Sequence, residues 1–110
     1  MIGPAKLLRI YTDEAAYFGD QRVFEVVATR ARQARLAGAT VLVAMVGFGR
    51  TAHLRTRHVL SDDRSVVIEI VDEEPKLRDF VALLSDLPEI GLITLEQVEV
   101  LHLNPVPSRS

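Results

Sequence analysis

Thr40–Phe48 reads T-V-L-V-A-M-V-G-F, and apart from Thr40 it holds no polar side chain. A strand that is apolar on alternate and intervening positions alike needs cover on both of its faces. The rest of the chain supplies only two amphipathic helices, and two short helices cover one face of a small sheet. The second face is therefore expected to be covered by another copy of the same chain. That expectation constrains the architecture more than any other stretch does.

The flanking segments give the order of elements. Lys6–Thr12 (K-L-L-R-I-Y-T) is short and rich in β formers, so a strand is predicted, followed by a polar connection over Asp13–Gly19. Asp20 can cap a helix through its carboxylate. Val23, Val27, Ala31 and Ala34, widened by Val26, recur on one helical face. Arg30, Arg32, Gln33 and Arg35 lie on the other, and Gly38 is the expected left-handed stop. After the apolar strand, Gly49–Arg64 breaks every periodicity and reads as a long loop. Ser65–Val71 (S-V-V-I-E-I-V) is β-branched and predicts another strand. Asp72 offers a second helix cap, and Pro75 fits only a first turn. Leu77, Phe80, Val81 and Leu84 form the apolar face of that helix, which Leu87-Pro88 should end. Gly91 opens a last strand over Leu92–Leu103. The order β-α-β-β-α-β predicts an α+β, ferredoxin-like fold: a four-stranded antiparallel sheet with two helices on one face. Residues 1–103 read as a single domain and 104–110 (N-P-V-P-S-R-S) as a flexible tail.

Charge and composition narrow the function classes. Thirteen Lys and Arg oppose fifteen Asp and Glu, a formal net charge of -2. That balance argues against a general nucleic-acid binder, which carries a basic excess. The absence of Cys excludes a thiol nucleophile, a disulfide framework and thiolate metal sites. The longest apolar run, Val41–Gly49, falls far short of the ~20 residues of a membrane span. No signal-like segment precedes it, so a soluble, cytoplasmic protein is expected.

Four features could carry chemistry. Gly47-Phe48-Gly49-Arg50 ends the apolar strand with two glycines, which let a backbone approach a ligand, and an Arg whose forked donors suit phosphate. By itself so short a glycine pair is more simply a turn. The Arg- and His-rich loop Arg50–Arg64 suits docking on an acidic surface or closure over a phosphate, and loops of this length tend to be functional. His53, His58 and His102 lack the spacing of a built metal site, so no metal is assigned. Asp62-Asp63 and Asp72-Glu73-Glu74 have ready structural roles as turn and helix-start residues. No nucleophile, acid–base pair or phosphate-loop motif supports an enzyme, and no cofactor is implied. RNA recognition on such a sheet needs aromatic residues on the central strands, and Tyr11 is the only one offered.

Gly38-Ala39-Thr40-Val41, Gly47-Phe48-Gly49-Arg50, Val66–Asp72 and Gly91-Leu92-Ile93 together resemble the block order of the PII signalling proteins. The resemblance is closest to the PII-like branch known as domain-of-unknown-function family 190, and it spans residues 6–103. It implies a homotrimer of ferredoxin-like subunits with sheets packed inward, and effector clefts between subunits that hold adenine nucleotides. Thr40, Gly47, Gly49 and Arg50 would belong to one wall of such a cleft and Gly91 to a second. The loop after Gly49, with His53, Arg55, Arg57 and His58, would correspond to the segment that PII proteins use to touch a membrane transporter or enzyme target. The implied protein is a regulator and not an enzyme.

The sequence departs from PII proteins at several points. The spacing from Thr40 to Gly47 is longer, which predicts a bulge. The loop is shorter and lacks Tyr, so nucleotidylation of a tyrosine is not expected. Leu87–Leu92 has no basic residue, and His102 stands where PII proteins carry an Arg. Monophosphates, diphosphates and cyclic nucleotides are therefore candidate ligands beside triphosphates. The rival reading is a small ferredoxin-like enzyme, of hydrolase or oxygenase type. Asp13–Asp20 lacks the Arg that an acylphosphatase-like hydrolase would need there.

Overall fold

The computed structural model describes residues 4–44 and 64–101. In chain order they form β1 (Ala5–Asp13), β2 (Tyr17–Phe18), β3 (Gln21–Arg22), α1 (Val23–Gln33), β4 (Thr40–Val43), β5 (Ser65–Asp72), α2 (Glu74–Ala82) and β6 (Leu92–Val98). β1, β4, β5 and β6 make one sheet in the order β4-β5-β1-β6, with antiparallel neighbours throughout. With two helices, this is the ferredoxin-like α+β architecture expected from the element order.

Alternation along the strands divides the sheet into two faces. Leu8, Ile10 and Thr12 of β1 and Val66, Ile68 and Ile70 of β5 are buried. Leu8, Ile10, Val66, Ile68 and Ile70 form one core with Val23, Val26, Val27 and Ala31 of α1 and Leu77 and Phe80 of α2. Register places Ile93 opposite Ile10 and Leu95 opposite Leu8, so β6 adds both to that face. Each fully buried aliphatic or aromatic side chain contributes about 1.5–3 kcal/mol. The intervening residues point the other way: Leu7, Arg9 and Tyr11 from β1, and Val67, Glu69 and Val71 from β5, all half-buried. Thr40 and Leu42 join them from β4 by pairing with Glu69 and Val67. No described helix covers this second face.

β4 lies at the sheet edge. Its Val41, Leu42 and Val43 are 36%, 46% and 41% exposed in the single chain, so the apolar strand lacks the two-sided cover its sequence calls for. Beyond Val43, Ala44 still donates to Ser65 O (2.8 Å), and the expected continuation to Phe48 lies outside the described residues. So do most of the long loop and the tail.

At the element ends the structure departs from the local signals. Asp20 does not cap α1. It sits in the two-residue loop of the β2–β3 hairpin, behind Gly19 at φ +66°, a geometry of the type II′ turn. The N-cap of α1 is Arg22, with no side-chain cap, and Val23 N–H is satisfied by Ala16 O (2.9 Å). Gly38 does not stop the helix. Arg35 takes the left-handed position (φ 59°), Arg35 N–H bonds Arg32 O, and Leu36 N–H bonds Ala31 O, which is a Schellman motif. Ala34, expected on the apolar face, is the exposed C-cap. α2 has Pro75 in its first turn as expected, but its N-cap is Glu73 rather than Asp72. It ends at Ala82, before Leu87-Pro88, because its chain tightens into turns closed by Leu84 N–H to Val81 O and Leu87 N–H to Leu84 O. β6 ends at Val98, where its pairing with β1 reaches Ala5, and the described residues 99–101 are outside the strand that was expected to run to Leu103.

Candidate functional site

Thr40 and Gly91 are the expected site residues that fall within the described chain. Gly47, Gly49, Arg50, His53, Arg55, Arg57 and His58 lie outside the described residues, as does His102. Thr40 begins β4 and Gly91 precedes β6, so the two lie at opposite edges of the sheet. With β5 and β1 between those edges, three strand spacings of about 4.8 Å separate them laterally, roughly 14 Å. One chain does not bring them together.

Each edge has its own geometry. At the β4 edge a groove of about 390 Å³ is lined by Leu7, Ala37, Gly38, Thr40, Glu69, Val71 and Val100. Alternation puts Leu7, Thr40, Glu69 and Val71 on the open sheet face. The α1–β4 connection brings in Ala37 and Gly38, and the chain leaving β6 folds back with Val100. A Cβ built on Gly38 meets nothing within 4 Å, so the loop side of the groove is open there. The walls are mostly apolar, with the Thr40 hydroxyl and the Glu69 carboxylate as polar groups.

Glu69 is held from the middle of the sheet. Arg9 Nε donates to Glu69 Oε2 (2.9 Å), and Arg9 Nη1 also bonds Glu96 on β6. The hydrogen bond to Glu69 is the main reason that the Arg9 guanidinium is held even more firmly protonated than usual. Arg9 thus ties Glu69, a residue of the groove wall, to β1 through Oε2. The arrangement suits a flat, apolar ring with a hydrogen-bond donor at its edge better than it suits a phosphate, which the carboxylate would repel.

At the β6 edge Gly91 N–H donates to Tyr11 O (2.9 Å). That N–H belongs to the ladder, so what Gly91 offers a ligand is the absence of a side chain. The turn before it is pinned by the fully buried Thr12, whose hydroxyl donates to Glu89 O (2.9 Å). Glu89 itself has φ 56°, in the left-handed region. Among the described residues no group of three or more His, Cys, Asp or Glu is placed to hold a metal ion. No described helix is long and apolar enough to cross a membrane.

The sequence had pointed to Thr40 but not to Leu7, Val71, Glu69, Gly38 or Val100. Strict alternation on β1 and β5 was the signal available for the first three. Val100 had none, because its position depends on the chain leaving the ladder after Val98.

The sheet order and helix placement define a PII-like ferredoxin fold. The chain belongs to the DUF190 family, described as "Uncharacterized ACR", which it matches over residues 5–100. It is 43% identical over 101 residues to the UPF0166 protein of Aquifex aeolicus (strain VF5), covering 89% of this chain and 94% of that protein. Among solved structures it is similar to CPII from Thiomonas intermedia K12 bound to ADP, AMP and acetate. The TM-score is 0.56 at 20% identity, over 88% of each chain. The apo form of the same protein, a nitrogen regulatory PII-like protein, gives a TM-score of 0.55 at 19% identity, over 89% of this chain and 92% of that one. At these identities the structural likeness establishes the fold.

Proposed function

We propose that this protein is a non-catalytic, cytoplasmic regulator that assembles as a homotrimer and binds an adenine nucleotide in clefts between subunits. The observation that carries the reading is the apolar groove beside Thr40, with the Glu69 carboxylate at its edge. The base lies in that groove, with its exocyclic amine facing Glu69 and its ring against Leu7, Val71 and Val100. The phosphates extend toward Gly47, Gly49 and Arg50, and Gly91 of a neighbouring subunit forms the opposite wall. Support for the ligand class comes from the fold neighbour whose structure is bound to ADP, AMP and acetate.

The sheet edges support the proposed assembly. Among the described residues two edges of the sheet lack a strand partner: β4, with Val41, Leu42 and Val43 exposed, and β6. Joining the β4 edge of one copy to the β6 edge of the next covers both, and brings Thr40 of one subunit toward Gly91 of another. Such head-to-tail contacts close into a three-membered ring when successive copies are related by a rotation of about 120°. His53, Arg55, Arg57 and His58 then form the element that meets a protein target, a membrane transporter or an enzyme.

Calorimetric titration with ADP, AMP, ATP and cyclic AMP, run beside sedimentation analysis, tests the reading. A trimer that binds one or more of these at micromolar concentration, with Glu69→Gln weakening the binding, is the expected result. A stable folded monomer, or a trimer that binds none of the four, overturns it.

A further inference from the structure

We infer that Asp72 is the positioning residue that fixes the loop wall of the groove, by tying the α1–β4 connection to the β5–α2 junction. The inference rests on the groove being the ligand site, and it assigns the device that sets its shape.

Asp72 ends β5 and is 3% exposed. Oδ2 accepts the N–H of Ala37 (2.8 Å) and Oδ1 accepts the N–H of Glu73 (2.7 Å). The two amides belong to segments far apart in sequence. Ala37 and Gly38 are the loop lining of the groove, while Val71 and Glu69, on the same strand as Asp72, line its sheet side. One side chain therefore joins the two walls.

Little else holds the loop. Leu36 N–H closes the Schellman motif on Ala31, and Thr40 enters the ladder opposite Glu69. Between them, the bond from Ala37 to Asp72 is the only hydrogen bond found to anchor 37–39 among the described residues. Ala37 is an exposed residue, yet its amide points inward to a buried acceptor. A buried carboxylate is expensive to place unless its oxygens are satisfied, so the loop and the acid hold each other.

The chemistry makes the role separable from simple packing. An ionised carboxylate accepts from two N–H groups at once. Asn matches its shape but has one acceptor oxygen, and its NH₂ would face the second N–H donor to donor. Asp72→Asn can thus serve Glu73 or Ala37 but not both. The helix start is locked by Pro75 and the ladder, so the loop is the side that lets go.

Amide hydrogen exchange on the wild-type protein is the first test, since it needs no variant. Ala37 is expected to exchange at least tenfold more slowly than its neighbours Gly38 and Ala39. Equal rates at all three positions would overturn the anchoring. The second test compares Asp72→Asn with Ile68→Val, a core change of modest cost outside the groove. The expected result is a selective rise in exchange at 37–39 and about tenfold weaker ADP binding for Asp72→Asn. Ile68→Val should shift the melting temperature but leave the affinity unchanged. If the wild-type protein binds ADP and Asp72→Asn binds it equally well, the positioning role is wrong. If the wild-type protein binds no nucleotide, the ligand reading fails on its own, and exchange at Ala37 still decides whether Asp72 holds the loop.

Discussion

Glu89 shows how single residues carry strain in this fold. It holds φ 56° without the small side chain that makes the left-handed region cheap, at a cost of about 1–2 kcal/mol. Glu89→Gly should therefore stabilise the protein, by about 0.5 kcal/mol once the greater freedom of glycine in the unfolded chain is counted. Denaturant titration of the two proteins measures this. A second residue-scale prediction concerns acid. Arg30 makes a bidentate pair with Asp86 (2.7 and 3.1 Å) and donates to Leu83 O, the C-cap carbonyl of α2. The hydrogen bond from Arg30 is the main cause that holds the Asp86 carboxyl below the usual aspartate range. The folded-state pKa is the lower one, so the pair stabilises fully above the unfolded value of about 3.9 and is lost as pH falls through the native value. Melting curves of wild type and Asp86→Asn should differ at neutral pH and converge at the acid end. Parallel curves down to the lowest pH would contradict the sign.

At the scale of elements, burial separates what can be lost from what cannot. Phe80 is 1% exposed and packs α2 on the sheet, so Phe80→Ala should cost about 3–5 kcal/mol. That is much of the total stability of a small domain, about 5–15 kcal/mol. Tyr17, 47% exposed on β2 with Arg22 5.4 Å from its ring, should cost no more than about 1 kcal/mol when truncated. The same contrast explains which elements sequence could reveal. β1, β5 and the apolar faces of α1 and α2 follow from periodicity, because burial imposes it. The β2–β3 hairpin has strands of two residues, too short for any period to register. The caps failed for a related reason: Asp20, Gly38 and Asp72 each have the right chemistry, but tertiary partners decide its use. Asp72 accepts from Ala37 across the fold instead of capping α2, and Arg35 accepts left-handed strain because Leu36 then packs on the core.

For the whole molecule, Thr40 is the expected site residue that the described groove contains. Gly91 lies at the opposite edge of the sheet, and in the proposed assembly the second wall comes from another copy through the sheet edges rather than from one motif. The arrangement makes a prediction that a site built within one chain would not. Thr40→Glu places a second carboxylate in the groove beside Glu69, and Gly91→Glu fills the facing wall. Each variant alone should abolish nucleotide binding while leaving the core, and hence the cooperative unfolding transition, in place. In a head-to-tail ring every cleft takes Thr40 from one subunit and Gly91 from the next. Refolding an equal mixture of the two variants then places an intact Thr40 against an intact Gly91 at about one interface in four. Titration of that mixture with ADP should recover roughly a quarter of the wild-type stoichiometry at wild-type affinity. A mixture that stays silent, although each variant assembles, would mean that Thr40 and Gly91 do not share a cleft across the interface.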